Sequence, residues 1–323
     1  MAGVAAAMSS TCQHGSMRVS RPCSSSQSAA CIWTGALGER NATPRVTLRQ
    51  PTHLSPAVKA SRTIPRVIHQ ILLDKTRIVP CIADNIARLQ DMNPGWRHVL
   101  HDNAEIQQHI ATHFGSDVLG AYNSINPLYG AARADFFRYL LMYQDGGVYL
   151  DVKSGCRRPL DDIIRDDDEL LLSRWDNQPG GKFEGWGAHL DDGVANELQS
   201  WHIICRPGHP LMKAVIDTVL HNLRTYSMRS HGVGKFGVLR TTGPLAYTKA
   251  IEPLLGRHPH RFFDSDAAGL VYSSLVLPPG QSSHMGLFKQ HYTRVKMPLV
   301  SSGPQRPWHY ARYKAMRLLG LMR

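Results

Sequence analysis

The stretch AARADFFRYLLMYQDGGVYLDVKSGCRRPL, residues 131–160, decides the fold. Ala132, Phe136, Tyr139, Leu140 and Tyr143 recur at helical spacing, and Gly146-Gly147 stands where a helix C-terminus favours glycine. Val148-Tyr149-Leu150-Asp151-Val152 then reads as a strand ending in charge. In an open α/β sheet, ligands sit beyond the carboxyl ends of strands, which puts Asp151 at such a position. Strand alternation points Asp151 and Lys153 to one side, and the three-residue spacing of Asp135 and Arg138 puts them on one helix face. Two acids and two bases converging after a Gly-Gly turn suit a ligand with both hydroxyls and phosphates. Carboxylates take hydroxyls or a metal, and Arg and Lys neutralise phosphate oxygens. On spacing alone a plainer reading stays open: an exposed ion pair on a helix, and an Asp151 that only starts a loop.

Upstream, Ile64-Pro65-Arg66-Val67-Ile68-His69-Gln70-Ile71-Leu72-Leu73 reads as a buried strand, and Asp84 to Leu89 as a helix. Asn93-Pro94-Gly95 is a turn into a strand at Trp96 to Leu100, and Asp102 or Asn103 caps a helix over Ala104 to Phe114. Downstream, strands are expected at Glu169 to Leu172, His202 to Cys205 and Val271 to Leu277. Helices are expected at His209 to Leu223 and Pro244 to Leu255. The alternation of strand and helix argues for an α/β sheet with parallel pairs.

The chain has 323 residues and a formal net charge of +12. That balance would suit nucleic acid or a membrane surface. Its distribution argues otherwise. Residues 1–64 hold seven basic residues against Glu39 alone, and the segment from Gln305 holds five and no acid, so the body between them is nearly neutral. Nucleic acid is therefore not an expected partner. Residues 1–62, rich in Ser, Ala and Arg, match the composition of a leader targeting a plastid or mitochondrion, with a secretory or Golgi route as the alternative. The sequon Asn41-Ala42-Thr43 matters only on that second route. Residues 63–323 are expected to form one catalytic domain ending in a basic helix, Trp308 to Met322, able to touch an anionic membrane or to dock on the domain. No run approaches the roughly 20 apolar residues of a spanning helix, and the six cysteines include no CxxC pair.

The central string is similar to the donor-binding core of glycosyltransferase family 32, whose sugar-binding region contains a DXD motif. IPRVIHQILL at the start of the body, the NPGW turn, RPGHP at Arg206 to Pro210 and TTGP at Thr241 to Pro244 carry the resemblance over roughly Ile64 to Leu255. It implies a GT-A type fold, an α/β arrangement with a mixed, mainly parallel sheet flanked by helices. It also implies a retaining glycosyltransferase that takes a hexose, mannose among the candidates, from a nucleoside diphosphate sugar to a glycan, lipid or other hydroxyl acceptor. By the same resemblance Asp135 and Arg138 hold the donor sugar and diphosphate. Asp151 contacts ribose or sugar and helps organise Mn²⁺ or Mg²⁺, and His69 and Gln70 border the nucleotide. Gly147 and Tyr149 complete the expected donor side, and Asp151, Lys153 and Arg138 the catalytic set.

Two positions depart from the family. The second acid of DXD is Lys153, and Leu72 stands where the opening strand commonly has Trp. A lysine would repel a metal, yet could neutralise the diphosphate as a point charge. Three readings follow: a metal-independent enzyme, a metal site rebuilt from other ligands, and a pseudoenzyme that still binds nucleotide sugar. His284 and His291 are candidate further metal or diphosphate contacts. Thr242 and Gly243, in a loop entering a helix, offer N–H groups to an anion, or form a plain helix cap. Asn196, Gln199 and Trp201 are candidates for the acceptor side, where aromatic faces pack on sugar rings, with core packing the alternative for Trp201. Asp166 to Asp168 are read as a solvated loop.

Overall fold

The computed structural model describes residues 61–76, 78–187, 189, 197–277, 280, 292–301, 315, 318 and 319. The expected leader, apart from its last two residues, and all but three positions of the expected terminal helix lie outside the described residues, as do Asn196, His284 and His291. The chain divides into two units, Met1–Gln50 and Pro51–Arg323, and everything described belongs to the second.

Along the chain run β1 (Val67–Ile71), α1 (Pro80–Met92), β2 (Arg97–His101), α2 (Asn103–Ser124), α3 (Gly130–Gln144) and β3 (Gly147–Leu150). There follow β4 (Gly155–Cys156), β5 (Leu170–Leu172), β6 (His202–Cys205), α4 (Pro210–Arg224), α5 (Gly234–Thr241), α6 (Pro244–Ile251), β7 (Arg261–Phe262) and β8 (Leu270–Val271). Six strands form one sheet in the order β2-β1-β3-β6-β5-β7. β1 runs parallel to β2 and β3, and β5 to β7, while β6 alone runs antiparallel to its neighbours. This is the mixed, mainly parallel α/β sheet expected from the sequence.

Side-chain alternation sorts the sheet into two covered faces. Tyr149, Leu170, Leu172, Ile203 and Cys205 pack into the larger core with α2, α3, α4 and α6. Val148, Leu150, Leu171 and Ile204 face Leu89, Trp96, Leu160 and Ile163 on the other side. Because the middle of α3 lies inside, seven consecutive residues from Phe136 to Met142 are buried, Arg138 included. A helix apolar on nearly all sides is the pattern of a buried helix.

The reversed direction of β6 gathers the site. The C-terminal ends of β1 and β3 lie beside the residues that precede β6, so Gln70, near the end of β1, Asp151 and the Ser200-Trp201 pair meet there. The Asp151 N–H donates to the Trp201 carbonyl at 2.8 Å, and Gln70 Nε2 donates to the Asp151 carbonyl at 3.3 Å.

Several local expectations are corrected. The strand over Val271 to Leu277 is real only at Leu270–Val271, which pairs with β4 in a separate two-stranded ribbon. The helix expected to stop at Phe114 continues through Ser124 across a kink at Gly115. Asp166 to Asp168 are not wholly solvated: Asp168 is buried and accepts from Arg261 Nε at 2.7 Å and Nη2 at 2.5 Å. Lys153 does reach the side of Asp151, but through a turn closed by the Ser154 N–H on the Asp151 carbonyl at 2.7 Å, since β3 ends at Leu150.

Candidate active site

A sharp junction aims α3 and β3. Gly146 and Gly147 have φ of 66° and 99°, and a Cβ on either would lie 2.6 Å from Pro207 N or from the Val67 carbonyl oxygen respectively. The chain therefore reverses within two residues, and the middle of α3 passes the end of β3.

At that crossing Arg138 joins the two acids. Its Nη2 donates to Asp135 Oδ1 and, at 3.2 Å, to Ser200 Oγ, while its Nη1 donates to Asp151 Oδ1 at 3.3 Å. Tyr149 OH donates to Asp151 Oδ1 at 2.8 Å, Lys153 Nζ to Asp151 Oδ2 at 2.5 Å, and Thr242 Oγ1 to Asp135 Oδ2 at 3.1 Å. Asp135, Arg138 and Lys153 are buried, and Asp151 keeps 24% of its side chain exposed, so the network opens to solvent at Asp151.

The electrostatics follow from burial and pairing. Burial raises the Asp151 carboxyl, but Lys153 and Arg138 together outweigh it and hold the group below its usual range. For Asp135 burial, helped by the Asp151 charge, wins over Arg138 and the more weakly felt Lys153, and the carboxyl is raised. Burial works against the Lys153 ammonium, yet the Asp151 charge keeps its pKa above the ordinary lysine value. Burial, then the Asp151 charge, drives the Tyr149 hydroxyl far up, so it stays a donor.

Not every expected site residue joins this network. His69 faces the other way: its Nδ1 lies 3.0 Å from His101 Nε2, and burial lowers its pKa to about 3. Gly147 sits at the opposite end of β3 and sets the backbone turn. The Thr242 and Gly243 N–H groups are not free for an anion, because both donate to the Val238 carbonyl, at 3.0 and 2.8 Å. Thr242 contributes its hydroxyl instead, and Gly243 caps α6. The Trp201 ring is a core residue, buried beside Tyr272, with Nε1 donating to Gln199 at 3.0 Å.

Other residues were not foreseen. Lys153 Nζ lies 4.3 Å from the ring centroid of Tyr272. Tyr272 also meets Trp175, Phe183 and Trp186 edge-on at 5.3, 6.5 and 5.4 Å between centroids, and Trp186 is 47% exposed. Tyr292 feels the charges of Asp135 and Asp151 beyond the effect of its own burial. No spacing rule links these positions to Asp151.

A DXD motif implies a divalent cation, and the described residues do not fit one. Asp151 Oδ1 accepts from Tyr149 and Arg138, Oδ2 accepts from Lys153, and the second acid of the motif is replaced by that cation, which repels a metal at the remaining acceptor position. Among the described residues, no group of three or more His, Cys, Asp and Glu side chains is placed to hold a metal.

Residues 82–170 match the model of the family described as glycosyltransferase sugar-binding region containing DXD motif. The chain is 27% identical over 195 residues to inositol phosphoceramide mannosyltransferase 3 of Schizosaccharomyces pombe, covering 57% of this chain and 44% of the relative. It is also 27% identical over 177 residues to an initiation-specific alpha-1,6-mannosyltransferase of Candida albicans, covering 50% and 45%. The chain thus spans less than half the length of these curated relatives. Solved structures that align include the PaToxG glycosyltransferase, with a TM-score of 0.45, 14% identity and coverage of 60% of this chain and 71% of that one. The glycosyltransferase domain of the YGT toxin aligns with a TM-score of 0.46, 8% identity and coverage of 67% and 82%. The resemblance read from the central string is borne out by the family match and the relatives.

Proposed function

We propose, taking the resemblance to the DXD-containing family as premise, that the chain is a retaining glycosyltransferase that moves a hexosyl group, mannosyl foremost, from a nucleoside diphosphate sugar to a hydroxyl of a glycan or lipid. The observation that carries this reading is the largely buried Asp135–Arg138–Asp151–Lys153 network at the C-terminal end of β3, where two carboxylates and two cations alternate. Carboxylates accept from sugar or ribose hydroxyls, and the cations face the departing diphosphate. In the step, the bond between the anomeric carbon and the β-phosphate oxygen breaks, and its electron pair leaves with the nucleoside diphosphate. The acceptor oxygen bonds to that carbon from the same face, and its proton passes to the departing phosphate. The residues position and neutralise, and no protein nucleophile takes part.

On the acceptor side, Trp186 replaces Trp201 in this reading. Its exposed ring connects through Tyr272 to Lys153, and an aromatic face of that kind packs on a sugar ring.

The test is transfer, and donor hydrolysis, by the full chain with UDP- and GDP-linked hexoses. Asp151→Asn is expected to lose roughly 100-fold or more in turnover, with an unchanged far-ultraviolet circular dichroism spectrum. Turnover like that of the unaltered chain would remove Asp151 from the site. Saturable nucleotide binding with no turnover across donors would return the pseudoenzyme reading.

A further inference from the structure

We infer that Lys153 occupies the electrostatic place of the divalent cation, so that the chain holds and releases a nucleoside diphosphate without a metal ion. This rests on the nucleotide-sugar reading above and states which charge serves it.

The charge count is the first support. Exchanging an aspartate for a lysine changes the local charge from −1 to +1, a difference equal to the charge of Mn²⁺ or Mg²⁺. With Lys153, the two acids and two bases of the network cancel; with an aspartate there, three acids would face Arg138 alone. A three-acid site needs a divalent ion before it can accept a diphosphate, and the present site does not.

The geometry is the second. A metal bound to Asp151 would have to displace a hydrogen bond from Oδ1 or share Oδ2 with the Lys153 ammonium, which repels it. Oδ1 accepts from Tyr149 at 2.8 Å and Arg138 at 3.3 Å, and Oδ2 from Lys153 at 2.5 Å. The Lys153 ammonium is fixed, not free to swing: Asp151 holds it from one side and the Tyr272 ring lies 4.3 Å away. An ammonium has three N–H donors, and its bond to Asp151 uses one. Arg138 and Lys153 contact different oxygens of one carboxylate, so both cations stand beside Asp151, where the network opens to solvent and a phosphate would arrive. A buried lysine of this kind is costly in an ion-free cleft unless it is paired, which Asp151 achieves until a phosphate arrives.

Calorimetric titration of the full chain with UDP and with GDP, each in EDTA and each in excess MnCl₂, tests this directly. One nucleotide is expected to bind in EDTA within about threefold of its affinity in Mn²⁺. Lys153→Asp should bind roughly tenfold or more weakly in EDTA and recover affinity with Mn²⁺. Lys153→Met, which supplies neither charge nor metal ligand, should be weak in both. An unaltered chain whose affinity rises roughly tenfold or more on adding Mn²⁺ overturns the inference. So does Lys153→Met binding as tightly as the unaltered chain in EDTA, which would leave Lys153 a structural partner of Asp151. If Lys153→Asp does not fold, as circular dichroism would show, the unaltered chain and Lys153→Met still decide the matter. Binding of neither nucleotide, with or without Mn²⁺, overturns the donor-site reading itself and this inference with it.

Discussion

Arg138 is the residue on which the site turns, because one planar guanidinium reaches Asp135, Asp151 and Ser200 together. Its pairing with Asp135 was legible as an i,i+3 spacing, but spacing could not say that the pair is buried. That follows from α3 lying inside the molecule, where the plainer reading of an exposed surface pair fails. Asp151 and Lys153 were legible from the end of a strand. Ser200, Tyr272 and Trp186 were not, since they arrive from segments whose distance along the chain carries no periodic signal. Trp186 gives a prediction at this scale. Trp186→Ala should raise the KM for a sugar acceptor roughly threefold to tenfold, leaving kcat and the donor KM nearly unchanged in initial-rate measurements. An unchanged acceptor KM would remove that ring from the acceptor path.

At the scale of elements, the α3–β3 junction shows how a glycine pair fixes a site several residues away. Gly147 has φ of 99°, and a Cβ there would meet the Val67 carbonyl at 2.6 Å, so Gly147→Ala combines strain with a clash against β1. The expected cost is about 3 kcal/mol, measured as a lowered urea midpoint; a loss below about 0.5 kcal/mol would mean that the turn relaxes freely. The Gly-Gly turn, the strand at His202 to Cys205 and the helix from Pro210 were legible because hydrophobic pattern and capping agreed. α5 was missed: GKFGVLRT carries two glycines, which lower helix propensity, and the helix forms against α6 and the core. The overextended strand after Leu270 shows the reverse error. Its apolar residues look like a ladder, but the Ser274 N–H donates to the Lys153 carbonyl at 2.9 Å, supporting the site loop instead.

At the scale of the whole molecule, four buried histidines among the described residues contribute to the response to acid. Burial is the leading cause in each: it lowers His69 and His202 to about 3, and His101 and His209 to about 4. Unfolded imidazoles titrate near about 6.5. Above that pH neither state binds the protons and nothing is gained or lost. As the pH falls below it, the unfolded chain takes up protons that the folded chain refuses. Stability therefore declines from about pH 6.5 towards pH 4, by about 1 kcal/mol per pH unit for each such group. The urea midpoint should be lower at pH 5 than at pH 7, and an equal midpoint would show that these imidazoles accept protons in place. The near-neutral body was readable from the charge distribution, whereas the fate of each histidine depends on the face of the element that carries it.

The lone antiparallel strand also has a bearing on how the chain is made. During synthesis β1 and β2 are available when β3 emerges, but its other flank stays uncovered until His202–Cys205 has left the ribosome, about fifty residues later. In that interval Val148-Tyr149-Leu150 presents an apolar strand with an open edge, the form most prone to pair with another chain. Nascent chains halted between β3 and β6 thus carry that open edge, and they already hold Asp135 and Arg138 before the partners of those side chains, Thr242 and Ser200, have been made.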